Sequence, residues 1–339
     1  MVVEAAVKTR GASGATRRRC LSIHAGYACA HAGACCTAQW PIPVEQPLVD
    51  ALRRRKIPVT GTPFETVSAA ADGSRLPILA TTKDGACVFF EPAAGRLCAV
   101  HRTSGPGLLP SACRNFPRIA VRDPRGVFVT LSHYCPTAAR LLLLDRDLAI
   151  VDAPPSITLD GEVEGLDATA VLPPLLRPGM LMSLDAYDAW EREAVAALND
   201  RRLPPAEAVA AISAATAASS EWRPGNGELS AAIEEAFADA RAAAGNRRAV
   251  SRLEHAVKSF LAAHAFASWA PYQHGGLGAA AATIQTALEQ LARALPAAWP
   301  GDDAGADETF ITAVRQTDLL LRHAHTDVGA GSLSPLRRD

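Results

Sequence analysis

No cysteine follows Cys135 in this chain of 339 residues, and all eight cysteines lie between Cys20 and Cys135. An excess of either charge is also lacking, since the formal net charge is −1 at pH 7. This balance excludes the strongly cationic class of nucleic-acid-binding and membrane-binding proteins, so we expect neither partner. Runs of roughly 18–20 apolar residues, the length of a membrane-spanning helix, are absent as well.

The N-terminal segment lacks the long apolar stretch of a secretory signal and carries Glu4. We therefore expect a cytoplasmic protein, in which thiols stay reduced unless a metal binds them. The basic runs at 17–19 and 53–56 are typical of solvated helix ends, although either could contact an acidic partner. With 49% hydrophobic and 20% charged residues, the composition is that of a globular protein.

Cysteine content divides the chain into two regions. Residues 1–150 hold every cysteine and are rich in proline and glycine, which predicts an irregular cysteine-cluster, metal-binding module. Residues 151–339 hold none and predict a mainly α-helical region. The fold class that we expect is α+β, with the irregular module carrying a short β-hairpin and packing on the C-terminal helices.

One hairpin is legible in the first region. Strands are predicted at 118–122 and 127–131, with a turn at 123–126 of sequence Asp-Pro-Arg-Gly. Pro136 suits the first turn of a helix, which we predict to run through Leu144.

Apolar residues recur at helical spacing in the second region. Leu229, Ile233 and Phe237 lie at positions i, i+4 and i+8, and 283–295 and 310–321 continue the pattern. We predict five or six helices. Because the histidines here lack the spacing of metal ligands on one helix face, we expect no metal in this region.

The cysteines are the strongest chemical signal. Thiolate is a soft ligand that suits zinc or an iron–sulfur cluster, and folding can bring distant thiolates to one centre. Eight ligands could supply two four-thiolate sites, or one site and a redox or spare set. The predicted metal ligands are Cys20, Cys29, Cys35, Cys36, Cys87, Cys98, Cys113 and Cys135.

Cysteines in such a segment could also play three different roles. A disulfide framework needs export, and buried cysteines serving as small hydrophobes would not be confined to one part of the chain. A purely structural zinc module is the serious alternative, but no C-x2-C knuckle occurs, and the adjacent Cys35 and Cys36 are awkward for one tetrahedral ion. Any of the histidines among the cysteines could ligate or tune a metal: His24, His31, His101 and His133.

Several ordered segments resemble the bacterial cysteine-cluster family of zinc- or iron-chelating proteins, and are most similar to its flagellin lysine-N-methylase type. The resemblance covers about residues 17–145. It departs from the family pattern at Thr137, where the family tends to have Glu, and in longer gaps before Cys35. The segments that carry it are Cys35-Cys36 with Trp40, 84–90, 96–101, 111–118 and 131–141.

The resemblance implies metal-dependent transfer of methyl groups from S-adenosylmethionine to lysine side chains of a flagellin-like protein partner. Arg114, Arg118 and Arg140 lie next to cysteines in sequence and could bind the carboxylate of the methyl donor through two hydrogen bonds. Each could instead pair with an acid or offset thiolate charge. Whether the protein is a lysine N-methyltransferase, a non-enzymatic zinc module or a redox or metal-handling protein is left open by the sequence.

Overall fold

A computed structural model describes residues 17–57, 59, 61–68, 75–95, 97–161, 163–296 and 304–323. The expectation on the segment around Glu4, the resemblance at Arg96, and the last residues of the helical region (324–339) lie outside that part of the chain. None of the helices in the described ranges is long and apolar enough to cross a lipid bilayer.

Among the described residues, a five-stranded sheet takes strands from both sides of residue 150, and three two-stranded ribbons accompany it. The sheet order is β8-β1-β7-β6-β9, and the ribbons are β2-β3, β4-β5 and β10-β11. The strands are β1 (Arg18–Leu21), β2 (Phe64–Ser68), β3 (Arg75–Leu79), β4 (Phe90–Glu91), β5 (Leu97–Cys98), β6 (Arg118–Asp123), β7 (Gly126–Leu131), β8 (Ile150–Asp152), β9 (Gly165–Asp167), β10 (Leu175–Arg177) and β11 (Met180–Leu181).

The predicted hairpin is confirmed as β6 and β7, which pair antiparallel from Arg118 opposite Leu131 to Asp123 opposite Gly126. The hairpin is the centre of a larger sheet, because β1 runs parallel to β7 and β9 runs parallel to β6. Gly126 has φ +140, and a Cβ there would lie 2.3 Å from the carbonyl oxygen of Arg17. Glycine is therefore required where Arg17, the residue before β1, passes the turn.

Helices account for most of the second region, as predicted. The expected apolar face of Leu229, Ile233 and Phe237 is buried on α7, and the helix predicted at Pro136 begins there but ends at Leu141. The helices are α1 (Gln46–Arg55), α2 (Ala99–Ser104), α3 (Ser111–Asn115), α4 (Pro136–Leu141), α5 (Leu184–Asn199), α6 (Pro205–Ser220), α7 (Leu229–Ala243), α8 (Arg252–Ala265), α9 (Gly276–Ala294) and α10 (Ala304–His323).

One large hydrophobic core joins the sheet to the helices. Leu21 of β1 and Phe128 of β7 belong to the same buried cluster as Trp190, Phe260 and Phe310 of the helices. The structure is thus a mixed α+β fold with a small sheet and a C-terminal helical region, which confirms the expected class at that level.

A second, smaller core lies beneath the cysteines. It contains Leu52 of α1, Phe64 of β2, and Phe89 and Val100. Three cysteines, Cys87, Cys98 and Cys113, pack against it from outside. These three cysteines are therefore positioned by a hydrophobic core that is separate from the large one.

Candidate metal centre

The adjacent cysteines Cys35 and Cys36 lie on a single 3₁₀ turn, Ala34–Cys36. The turn starts after Gly33, which has φ 76, a left-handed conformation that glycine adopts without a steric penalty. The carbonyl oxygen of Cys36 accepts a 2.7 Å hydrogen bond from the backbone N–H of Cys87. This bond joins the first group of cysteines to the second.

Cys98 and Cys113 lie near Cys35 and Cys87 but belong to two other secondary-structure elements. Cys98 ends β5, where it pairs with Phe90 of β4, and it is also the residue that precedes α2. Cys113 lies on the short helix α3. Regular secondary structure therefore fixes the backbone position of each of these two cysteines.

Five thiols converge as a result, and we call Cys35, Cys36, Cys87, Cys98 and Cys113 the five-thiol cluster. The sulfurs of Cys35 and Cys36 are 3.9 Å apart, and both residues line one small cleft with Cys87. Burial raises the pKa of Cys113 well above its usual value, and the charges of Cys87, Cys35 and Cys98 raise it further. Cys87 links the two halves of the cluster, because it lines the cleft with Cys35 and Cys36 and packs against the same core as Cys98 and Cys113.

Within the cluster, the thiols of Cys35 and Cys36 are in hydrogen-bond contact at 3.9 Å. The hydrogen bond from Cys36 lowers the pKa of Cys35 to about 7, the strongest influence on that thiol. The same bond, together with burial and the charges of Cys87 and Cys98, raises the pKa of Cys36. One thiolate is thus available near neutral pH, and a thiolate is the form that binds metals.

Backbone N–H groups face four of the cysteine sulfurs in a repeated local pattern. In each case the N–H belongs to the residue two positions further along. Burial raises the pKa of Cys87, Cys98 and Cys135, and these N–H groups oppose that rise. The donor of the hydrogen bond to Cys29 is His31, at 3.4 Å. The pairs are Cys29 with His31, Cys87 with Phe89, Cys98 with Val100, and Cys135 with Thr137.

Cys29 and Cys135 form a separate pair, which we call the two-thiol group. The hydroxyl oxygen of Tyr27 lies 3.8 Å from the Cys135 sulfur. Burial raises the pKa of Tyr27, and the charges of Cys135 and Cys29 add to that rise. The Arg118 guanidinium lies over the Tyr27 ring at 5.3 Å from its centre.

Two histidines connect the two sets of thiols. The rings of His31 and His101 are 5.3 Å apart between centres. His31 donates to Cys29 of the two-thiol group, and the backbone N–H of His101 faces Cys98 of the five-thiol cluster. These two histidines therefore place the two-thiol group beside the five-thiol cluster.

Cys20 belongs to neither the five-thiol cluster nor the two-thiol group. Its side chain is fully buried on β1, in an apolar cluster with Ala120, Val129 and Ile157. Burial, and to a smaller extent the charge of Asp152, raise the pKa of Cys20 to about 11. The structure thus places this thiol as a protonated core residue.

The three arginines that could bind a cofactor are not brought together. Arg114 pairs with Asp160 at 3.0 Å, and Arg140 pairs with Glu308 of α10 at 2.7 Å. Arg118 lies beside the two-thiol group, and its Nη1 donates hydrogen bonds to the carbonyl oxygens of Arg114 and Asn115 at 3.4 and 3.5 Å.

The structure also shows a buried polar network that the sequence analysis missed. His24 and His133 lie 3.2 Å apart between their Nε2 atoms, and both side chains are fully buried. Nearby, Asp318 accepts a 2.7 Å hydrogen bond from Ser132 and pairs with Arg322 at 3.0 Å. No local signal could reveal contacts between residues more than 100 positions apart.

Among the described residues, no group of three or more His, Cys, Asp or Glu side chains is arranged so that it could hold a metal ion as it stands. Comparison of the chain with protein families, with curated proteins and with solved structures gives no match.

Proposed function

We propose that the five-thiol cluster binds a thiophilic metal, either as a zinc ion or as an iron–sulfur cluster. The observation that carries this proposal is the convergence of thiols from four chain segments, around Cys35-Cys36, Cys87, Cys98 and Cys113. Each thiolate opposes ionisation of its neighbours. A bound cation removes that opposition.

The donor set fits such a metal by chemistry and by number. Zinc and iron–sulfur centres take four thiolates, and five are present. Two sulfurs bound at about 2.3 Å to one tetrahedral ion lie about 3.8 Å apart. The sulfurs of Cys35 and Cys36 are 3.9 Å apart, so this adjacent pair matches that spacing better than its sequence indicated.

Metal binding requires the remaining sulfurs to close in, because no three donors of the described part of the chain stand at ligand positions together. Rotation about the Cα–Cβ bonds of Cys87, Cys98 and Cys113 would supply that movement. The N–H groups of Phe89 and Val100 face Cys87 and Cys98. Such donors orient ligand thiolates and tune the metal.

Metal analysis of the full chain, purified without oxygen, tests the proposal. We expect about one zinc ion per chain and a colourless protein, or iron with acid-labile sulfide and a brown protein. The double substitution Cys35→Ala, Cys36→Ala should remove most of the metal and lower stability, because binding a structural metal contributes free energy of folding. Cys20→Ala is the matched control, since that buried thiol lies outside the cluster. Full occupancy in the double variant would refute the proposal.

Activity is a second proposal, and it rests on the resemblance to flagellin lysine-N-methylases. Within this proposal, Arg118 would bind the carboxylate of S-adenosylmethionine, since its guanidinium lies over the Tyr27 ring beside the two-thiol group. Calorimetry with S-adenosylmethionine on metal-loaded protein tests this, with Arg118→Lys expected to weaken binding and Arg140→Lys to leave it unchanged. Mass spectrometry of flagellin incubated with both would show lysine methylation.

If the metal-loaded protein binds no S-adenosylmethionine, the alternatives are a structural zinc module and a redox or metal-handling protein. A reversible colour change on reduction would favour the latter. Stoichiometric zinc that is needed for folding would favour the former.

A further inference from the structure

A cavity of about 240 Å³ opens at the C-terminal end of α1. Its walls are mainly apolar: Leu52 comes from α1, Ile57 and Val59 follow that helix, Phe64 begins β2, and Phe89 precedes β4. Its volume lies below the roughly 300–1,000 Å³ of pockets that hold drug-sized ligands. A ligand with about a dozen non-hydrogen atoms therefore suits it.

Two cations line the same cavity, Arg53 and Lys56, and no acidic residue is among the described residues that line it. The Arg53 guanidinium lies 5.7 Å from the centre of the Phe64 ring, so it is held against the cavity wall. Lys56 ends α1 in a left-handed conformation (φ 48), a position usually occupied by glycine. The chain thus carries a lysine, with its charged ammonium group, at a position where glycine would be less strained.

Basic residues at the end of a helix also balance the partial negative charge of its last carbonyl groups. That role does not require an apolar cavity beneath them, and it is served equally by Arg54 and Arg55, which do not line the cavity. Because the helix end itself repels anions, any attraction for an anion must come from Arg53 and Lys56. Apolar walls and a cationic rim together select one kind of molecule.

We propose that this cavity binds a small organic carboxylate with an apolar, preferably aromatic, body. The body packs between Phe64 and Phe89, and the carboxylate accepts hydrogen bonds from Arg53. The site is independent of the proposed metal. It does adjoin the five-thiol cluster, because the backbone N–H of Phe89 faces the sulfur of Cys87.

Three probes that differ only in their head group test the proposal on the full chain by calorimetry: 3-phenylpropionate, 3-phenylpropan-1-ol and 3-phenylpropylamine. We expect the carboxylate to bind about tenfold more tightly than the alcohol, since a charge-assisted hydrogen bond exceeds a neutral one by about that factor. The amine should bind most weakly. Equal affinity for all three, or no binding of the carboxylate at millimolar concentration, would overturn the proposal.

Substitutions locate the binding. Arg53→Gln should weaken the carboxylate about tenfold, again the value of one charge-assisted hydrogen bond, and leave the alcohol unchanged. Arg55→Gln, exposed on the same helix turn and outside the cavity, removes the same charge and should change neither. Equal losses in the two variants would show that net charge alone attracts the anion, which would contradict a built site. Thermal melts confirm that the variants are folded.

Discussion

The backbone N–H of Cys87 donates a 2.7 Å hydrogen bond to the carbonyl oxygen of Cys36. Neither sulfur takes part, so this bond can hold the two cysteine-bearing segments together with or without a metal. It therefore gives the five-thiol cluster a backbone frame.

Gly85 makes that frame sensitive to a single methyl group. It has φ +80, and a Cβ there would lie 2.7 Å from side-chain atoms of Gln39, beside the cleft that Cys35 and Cys36 line. We expect Gly85→Ala to lower the free energy of unfolding by about 1–3 kcal/mol, and to reduce metal content as well. Urea denaturation and metal analysis measure the two effects.

Gly179→Ala is the matched control for that change. Gly179 has a similar φ of +77, but a Cβ there meets nothing within 4 Å. It should lower stability by about 1 kcal/mol and leave metal content unchanged. Equal metal loss in both variants would show that the contact with Gln39 has no part in shaping the site.

Arg125 joins the hairpin to the helices through buried charges. It pairs with Asp123 at 2.7 Å and with Glu191 of α5 at 2.7 Å, and its guanidinium lies 4.4 Å from the centre of the Tyr187 ring. Arg125→Met leaves Glu191, which is 1% exposed, without its cation. We expect a loss of about 3–5 kcal/mol in the free energy of unfolding.

The control is Arg192→Met, which removes an exposed arginine one turn from Asp188 on the same helix. An exposed pair is worth about 0.2–1 kcal/mol, so little change is expected. Comparable losses for Arg125→Met and Arg192→Met in urea denaturation would mean that the buried pairs do not join the two regions.

Acid should destabilise the fold through its buried histidines. Burial, and then the charge of Arg322, lower the pKa of His264 to about 3, while Asp318 opposes that shift and His133 adds to it. Between pH 3 and about 6.5 the unfolded chain binds the extra proton, so stability is fully present above 6.5 and falls as the pH decreases. From pH 7.5 to 5.0 this one histidine should remove about 2 kcal/mol.

Urea denaturation at the two pH values measures this loss. In His264→Gln the difference between pH 7.5 and 5.0 should shrink by about that amount, since glutamine does not titrate. His274→Gln, at an exposed position, should leave it unchanged. An unaltered pH dependence in His264→Gln would show that His264 is not held neutral by burial.

Local patterns predicted the parts of the fold that depend on near neighbours. The turn Asp-Pro-Arg-Gly specified the hairpin of β6 and β7, and the spacing of Leu229, Ile233 and Phe237 specified α7. The helix at Pro136 was predicted three residues too long, because its apolar run continues to Leu144 while the helix ends at Leu141. Residues 142–144 pass into turns instead.

Contacts between residues far apart in the sequence could not be predicted from it. The parallel pairing of β1 with β7 brings together residues more than 100 positions apart, and no pattern in the sequence marks it. The same pairing buries Cys20 in the sheet, away from the other cysteines. Its position in the sequence does not distinguish it from them. Counting cysteines therefore could not separate the five-thiol cluster, the two-thiol group and the core thiol.

X-ray absorption at the metal edge tests the central claim most directly. On anaerobically purified, full-length protein, four sulfur ligands at about 2.3 Å are predicted, with zinc or iron as the absorbing atom. The sulfur shell should survive Cys20→Ala and be lost in the Cys35→Ala, Cys36→Ala variant. A metal surrounded only by nitrogen and oxygen ligands, or a sulfur shell unchanged in the double variant, would contradict the account.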